Sequence, residues 1–338
     1  MSTLSSQPPR PNGRRGFEIA IICALPLEAP AIQALFDHYW GDDSSPFDKE
    51  PGDPNAYSAG VIGRHNVVLA HMPGMGKANA AAVAAKCHTS FPNIRLALVV
   101  GVCGVVPFER NGDEIVLGDV VLSDGIVQYD LGRRLPDQFV TKDTLINALG
   151  RPDPEIRDVL AKPKTNQGQE DLTRKTIKLL DAMRCNPRLH ATYPGSTNDR
   201  LFEAAYRHSE DQKLCDQAGC NGKLVSRRRL EMSGTHLTPA IHFGLMASGD
   251  SVMKSGEDRD KIVEVEDSIA FEMEGAGVWD HFPCIVIKGA CDYANSHKSK
   301  VRQRYAAATA AACTKAFLSF WVPSFTQGMF YHVSHDRD

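Results

Sequence analysis

Short apolar runs bounded by glycine, proline and acidic residues recur along this chain, alternating with amphipathic or Ala-rich stretches. Phe17–Cys23 reads as a buried strand. Leu27–Tyr39 has apolar positions at helical spacing and Pro26 near its start, which predicts a helix. Residues 41–56 form a Gly/Asp/Pro-rich loop. Tyr57–Ile62 and Asn66–His71 flank Gly63-Arg64-His65 and read as a hairpin. Gly74-Met75-Gly76-Lys77 leads into an Ala-rich helix ending near His88. Leu96–Val100 is a strong strand with a small-residue loop after it, Gly101–Val105, and Asp119–Val127 is another strand. This alternation predicts an α/β fold.

The alternation breaks between about 128 and 238. That stretch is charged and Pro-punctuated, with helices expected at Asp171–Met183 and Asn198–His208, and it reads as a mainly helical insertion or lid. The α/β pattern resumes at Ala240–Ala247, continues through Ser268–Phe271 and Pro283–Ile287, and closes with a helix over about Arg304–Phe320. The expected organisation is a disordered polar tail (1–15), one domain (16–325) carrying the insertion, and a C-terminal tail (326–338). No internal repeat is evident.

The chain is 42% hydrophobic and 23% charged over 338 residues, enough for a full core. A net charge of -3 gives no global signature for nucleic acid. No stretch is apolar enough to span a membrane. Nine cysteines, an odd number, together with no secretory leader favour a reducing compartment, so a cytoplasmic location is expected.

Two acidic motifs near the end carry the chemistry. Phe271-Glu272-Met273-Glu274-Gly275-Ala276-Gly277 and Cys291-Asp292-Tyr293-Ala294 are separated by the apolar run Pro283–Ile287. Carboxylates at strand ends of an α/β sheet sit where ligands usually bind. With Tyr193-Pro194-Gly195, Ile241–Asp250 and Lys288–Lys298, these segments resemble the nucleoside phosphorylase and nucleosidase superfamily (purine and uridine phosphorylase type). The site is similar to methylthioadenosine/adenosylhomocysteine nucleosidases. The whole is similar to fungal domains of this type, found alone or fused to NACHT or ankyrin modules. The resemblance spans most of 17–127 and 239–320. It implies a three-layer α/β/α sandwich with a mixed central sheet, and cleavage of the bond between a base and ribose.

Carried over residue by residue, the resemblance gives Asp292 the protonation of the departing purine at N7, help typically worth about 10²–10⁴ in rate. Glu274 takes the ribose hydroxyls, which one carboxylate can accept as a pair, and Met273 packs beneath the sugar. Glu28 matches the glutamate that activates water in the nucleosidases. Hydrolysis needs such a base and phosphorolysis does not, because phosphate arrives anionic. Where the phosphorylases hold phosphate with Arg and Ser, this chain has Val99 and Val102, and their early phosphate motif is replaced by Ala24-Leu25-Pro26. The backbone near Val252 and Met253 is expected beside the purine edge. Val252 stands where the family often has an aromatic stacker, so Phe243 or a residue of the insertion is expected to stack.

The insertion carries Arg133-Arg134, Arg184 with Arg188, and Arg227-Arg228-Arg229. Arg pairs suit phosphate, which extends the expected substrates from adenosine to adenine nucleotides such as ATP, with Arg133 and Arg134 at the phosphates. Gly74–Lys77 lacks the full P-loop pattern. Cys185, His190, His208, Cys215 and Cys220 also lie in the insertion, but the Cys215–Cys220 spacing is at the edge of what paired zinc ligands use, so no metal is expected. The expected protein is a phosphate-independent purine nucleosidase without a cofactor. Its partner is a small-molecule nucleoside or nucleotide, and the family suggests a homodimer. Phosphorolysis and an inactive nucleotide-sensing module are the alternatives.

Overall fold

The structure is a computed structural model that describes residues 8–41, 47–137, 139–142, 148–210, 213–233 and 237–322. Its first half runs β1 (Ile19–Cys23), α1 (Ala29–Gln33), β2 (His38–Tyr39), β3 (Ala56–Ile62), β4 (His65–His71), α2 (Lys77–Ser90), β5 (Leu96–Val105) and β6 (Val120–Gln128). The insertion holds a small hairpin of β7 (Gly132–Arg134) and β8 (Phe139–Thr141), then α3 (Pro154–Ala161), α4 (Asn166–Arg184) and α5 (Arg228–Ser233). The fold resumes with β9 (Ile241–Ser248), α6 (Gly256–Glu266), β10 (Ser268–Glu272), α7 (Gly275–Trp279), β11 (Cys284–Asp292) and α8 (Gln303–Leu318).

Nine strands form one mixed sheet in the order β10-β9-β6-β11-β5-β1-β4-β3-β2. β4, β1, β5 and β11 are parallel neighbours, and β6 joins β11 antiparallel. β9 and β10 then follow parallel to β6. The sheet curls until β10 meets β5 antiparallel, Ala270 opposite Val105 and Phe271 opposite Gly104. Every residue of β1, β10 and β11 is buried, as expected of strands covered on both faces.

Two apolar clusters cover the sheet. One joins Ala80, Val83, Ala84 and Cys87 of α2 with Val278 of α7, and the other joins α8 with α4. α8 is rich in alanine and buries Tyr305 to Leu318 except Lys315. Leu172, Thr176, Leu180 and Met183 recur every three or four residues and form the buried stripe of α4. Part of the insertion is thus a layer of the sandwich rather than a lid. None of the helices among the described residues is long and apolar enough to cross a membrane.

Four expectations change. The helix expected over Leu27–Tyr39 stops at Gln33. Asp37 accepts the Gly63 amide and the Lys315 ammonium, and the chain turns out into β2. The loop expected at Gly101–Val105 continues β5, because β11 and β10 supply its ladder partners. Asn198–His208 is not helical. Asp199 takes the Leu117 amide and the Tyr293 hydroxyl, and Phe202 bridges to Leu224. Within the expected disordered tail, Arg10 donates to the Trp40 carbonyl and lies over the Phe47 ring, and Arg14–Gly16 form a 3-10 turn. Residues 1–7 and the tail at 326–338 lie outside the described residues.

Candidate functional site

The chain leaves β1 at Cys23 and turns back at Glu28, just ahead of the short α1. The Glu28 carboxylate folds against the turn: Oε2 accepts the Ala24 and Leu25 amides, both at 2.9 Å. Oε1 accepts the Val102 amide of β5 at 3.0 Å. A Cβ on Gly101 would lie 2.2 Å from Glu28 Oε1, so only glycine lets the carboxylate reach this position. Burial pushes the Glu28 carboxyl above the usual range. Lys288 and the amides of Leu25 and Val102 oppose that rise, and Glu274 adds to it.

β10 delivers the second group. Glu272 closes the strand, and its carboxylate accepts the amides of Glu274 and Gly275. It thereby satisfies donors at the start of α7 that would otherwise be orphaned. Burial drives its carboxyl up, Lys288 draws it down and Glu274 raises it again. The small residues after Glu274 serve packing: a Cβ on Gly277 would meet the Lys77 carbonyl of α2 at 2.2 Å. Glu274 Oε2 is held by Lys288 Nζ at 2.8 Å, with both side chains buried. Burial disfavours the Lys288 ammonium, but Glu274, Glu28 and Glu272 outweigh it and raise its pKa. Lys288 is therefore a central cation shared among three carboxylates. The lone lysine in the apolar Cys284–Asp292 strand was its sequence signal, since buried lysines are rare unless paired.

β11 ends at the third group. Asp292 Oδ1 accepts the Ala294 amide at 2.8 Å and pairs with Lys298 Nζ at 2.9 Å. Its Oδ2 lies 3.3 Å from the Cys291 thiol. Ala294 takes a left-handed conformation (φ +49°) that closes this turn.

These groups share one cavity of about 180 Å³, where the ends of β1, β10 and β11 and the chain after β9 converge on the distal half of β5. Glu28, Met273, Glu274, Asp292, Val252 and Met253 all line it. Phe243 does not. It sits five residues before the end of β9, about 16 Å away along a strand, and packs beside Lys164 against the α8-side core. Among the described residues, the aromatic ring that lines the cavity is Phe271 of β10, inside the motif already singled out.

Arg133 and Arg134 are exposed on β7 and are absent from the lining. The other basic clusters of the insertion have structural partners. Arg227 donates to the Ile115 and Pro107 carbonyls, Arg229 clasps Asp119, and Arg184 pairs with Asp181. Lys77 is similarly engaged, with Nζ on Asp130 at 2.5 Å and its amide on Asp250 at 2.7 Å.

The insertion also places His208, Cys215 and Cys220 together with His297, their ligand atoms all within 4.8 Å of one another. The fourth member comes from the loop after Asp292. A reading of the spacing within the insertion alone misses it.

A model of the phosphorylase superfamily matches residues 18–319. Among solved structures, the chain is similar to the 5'-methylthioadenosine/S-adenosylhomocysteine nucleosidase of Streptococcus pneumoniae with a transition-state inhibitor (TM-score 0.54, 19% identity), covering 89% of this chain and 98% of that one. It is similar to the Helicobacter pylori enzyme of the same name and to futalosine hydrolase of Helicobacter pylori, each with TM-score 0.52, 16% identity and coverage of 90% and 98%. At such identities these likenesses speak for the fold. A "nucleotide-binding leucine-rich repeat (NLR)-like protein" of Hyaloscypha variabilis is 33% identical over 315 residues, which cover 91% of this chain. The chain spans 30% of that relative's length. From the match of the family model over nearly its whole length, this chain belongs to the phosphorylase superfamily.

Proposed function

We propose that the protein is a purine nucleoside N-glycosidase that releases its base, adenine above all, by hydrolysis of adenosine or adenine nucleotides. One observation carries the hydrolytic reading. Glu28, Glu272, Glu274 and Asp292 line the cavity, while Lys298 is its one cationic lining residue among those described. Lys298 is already paired with Asp292, and Lys288 lies beneath, paired with Glu274. Such a wall offers, among the described residues, no unpaired cation to hold a phosphate dianion, and it suits a neutral water beside a carboxylate base.

In this reading Glu28, fixed by three backbone amides, takes the proton of the attacking water. Burial raises its pKa above that of an ordinary glutamate, and a carboxylate of higher pKa is a stronger base. Glu274, anchored to Lys288 through Oε2, offers Oε1 to the ribose hydroxyls, with Met273 beside the sugar. Asp292 keeps Oδ1 on Ala294 and Lys298 and uses Oδ2 to give the departing purine its proton. Phe271, with Val252 and Met253, borders the base. The nucleosidase names of the similar structures support the same chemistry.

The test is base release, followed by chromatography, from adenosine, inosine, guanosine, methylthioadenosine, AMP and ATP, each with and without phosphate. Free adenine with an intact ribose moiety, independent of phosphate, is the expected result. Ribose-1-phosphate formed only with phosphate would replace hydrolysis by phosphorolysis. The NLR-like name of the fungal relative supports a second reading, a nucleotide-sensing module within a larger signalling protein. Tight adenosine or ATP binding without release of base would favour it.

A further inference from the structure

We propose that His208, Cys215, Cys220 and His297 hold a structural zinc ion that fastens the insertion to the loop bearing Lys298.

The four ligand atoms lie within 4.8 Å of one another. Cys215 Sγ and His297 Nδ1 are 3.6 Å apart. A tetrahedral zinc with arms of about 2.3 Å to sulfur and about 2.05 Å to nitrogen needs a separation of about 3.6 Å. The ring of His297 is set for this. Its Nε2 is 2.9 Å from the Tyr206 carbonyl, which accepts a hydrogen bond from Nε2–H and leaves the Nδ1 lone pair facing the cysteines. Tyr206 stacks on the imidazole at an interplanar angle of 6°, and Phe202 packs on it at 4.3 Å. The Glu210 amide donates to His208 Nδ1 at 3.2 Å, a bond at the long end of the range that coordination of the ring to zinc would replace.

The two cysteines are presented by a single turn. The Cys220 amide donates to the Cys215 carbonyl, and Gly219 takes φ +67° to close the bend. Two thiolates and two imidazoles form a closed four-coordinate set whose charge balances a divalent ion. Tetrahedral S₂N₂ donors select zinc. No coordination position is left for a substrate, which makes the site structural rather than catalytic.

The location explains why such a fastening is needed. Among the described residues between Asn198 and Arg228 there is no helix and no strand beyond an isolated bridge. A segment that makes so little regular structure is one that a cross-link would steady. His297 follows Asp292 by five residues, precedes Lys298, and lies beside Ser296, whose hydroxyl accepts the His208 amide at 2.9 Å. The ion would therefore brace both the insertion and the turn that pairs Lys298 with Asp292.

Elemental analysis of protein carrying no His tag and purified without chelator tests this directly. About one zinc per chain is expected, released by a mercurial that titrates thiols. Cobalt(II) exchanged into the protein should show the visible bands of a tetrahedral ion and a thiolate charge-transfer band. Cys215→Ser with Cys220→Ser should abolish metal binding and lower the thermal midpoint by roughly 5–10 °C. If that variant does not fold, the wild-type zinc content and cobalt spectrum still decide. Folded wild-type protein that contains no zinc and takes up none on titration would overturn the proposal. So would zinc content unchanged in the double variant, or a Cys215–Cys220 disulfide seen as a mass deficit of two hydrogens.

Discussion

The two walls of the cavity are built by opposite means. Glu28 is gripped by three backbone amides, two from the turn after β1 and one from within β5, and Glu274 by a buried lysine of β11. Asp292, at the end of β11, depends on one amide and on Lys298, whose loop is packed against a segment of the insertion with almost no regular structure. Backbone donors cannot be removed without refolding the sheet, whereas a loop can shift as a unit. The difference teaches that the proposed base should be insensitive to changes in the insertion, while the proposed acid should feel them.

The sharpest break of this comparison comes from the carboxylates themselves. Glu28→Gln and Asp292→Asn should each lower kcat for base release by about 10²–10⁴, read by steady-state kinetics on the best substrate. A loss below about tenfold for Glu28→Gln would remove it as the base. Next, Lys288→Met would leave the Glu274 charge buried without its partner. Breaking a buried pair from one side costs about 3–5 kcal/mol, and chemical denaturation should show a loss of that size.

Smaller effects separate the walls by pH. Glu28 acts ionised, and its pKa is raised by burial. kcat/KM should therefore fall as pH drops through a limb displaced above the ordinary glutamate value of about 4.3. A limb at or below that value would count against Glu28. At the return point of the insertion, His242 is wedged between Glu109 and Asp119. Burial opposes its charge, but the two carboxylates prevail and raise its pKa to about 9. The proton is bound more tightly in the folded state, so its contribution is full below about pH 6.5 and lost as pH rises towards 9. The loss is about 3 kcal/mol at most, and His242→Gln should flatten that part of the stability profile. The smallest effect is expected from Arg133→Ala with Arg134→Ala. Both residues are exposed and neither lines the cavity, so KM for ATP and for adenosine should change by less than about twofold.

Much of the sheet side was legible in the sequence, because strands covered on both faces are written as continuous apolar runs, as in Ile19–Cys23 and Leu96–Val100. The motifs around Glu274 and Asp292 were legible for a second reason: glycines and carboxylates fill positions fixed by close packing. Other features depend on partners far along the chain. Leu27–Tyr39 has helical spacing, yet the pull of Lys315 and Gly63 on Asp37 ends the helix early. Phe243 is aromatic and lies in the right strand, but at the wrong end of it. His297 joins cysteines 77 and 82 residues before it, a proximity that no local spacing encodes.

The return of β10 onto β5 has a bearing on how copies of this chain can meet. Open sheets offer their outer strands as templates for strand addition. Here β5, β11, β6, β9 and β10 close into a ring, so that side of the nine-stranded sheet presents no unpaired rim. Its remaining rim lies along β3, where His38 and Tyr39 of β2 cover Val61 and Gly60. Among the described residues, strand addition to the nine-stranded sheet therefore has one point of entry, the stretch of β3 that β2 leaves uncovered.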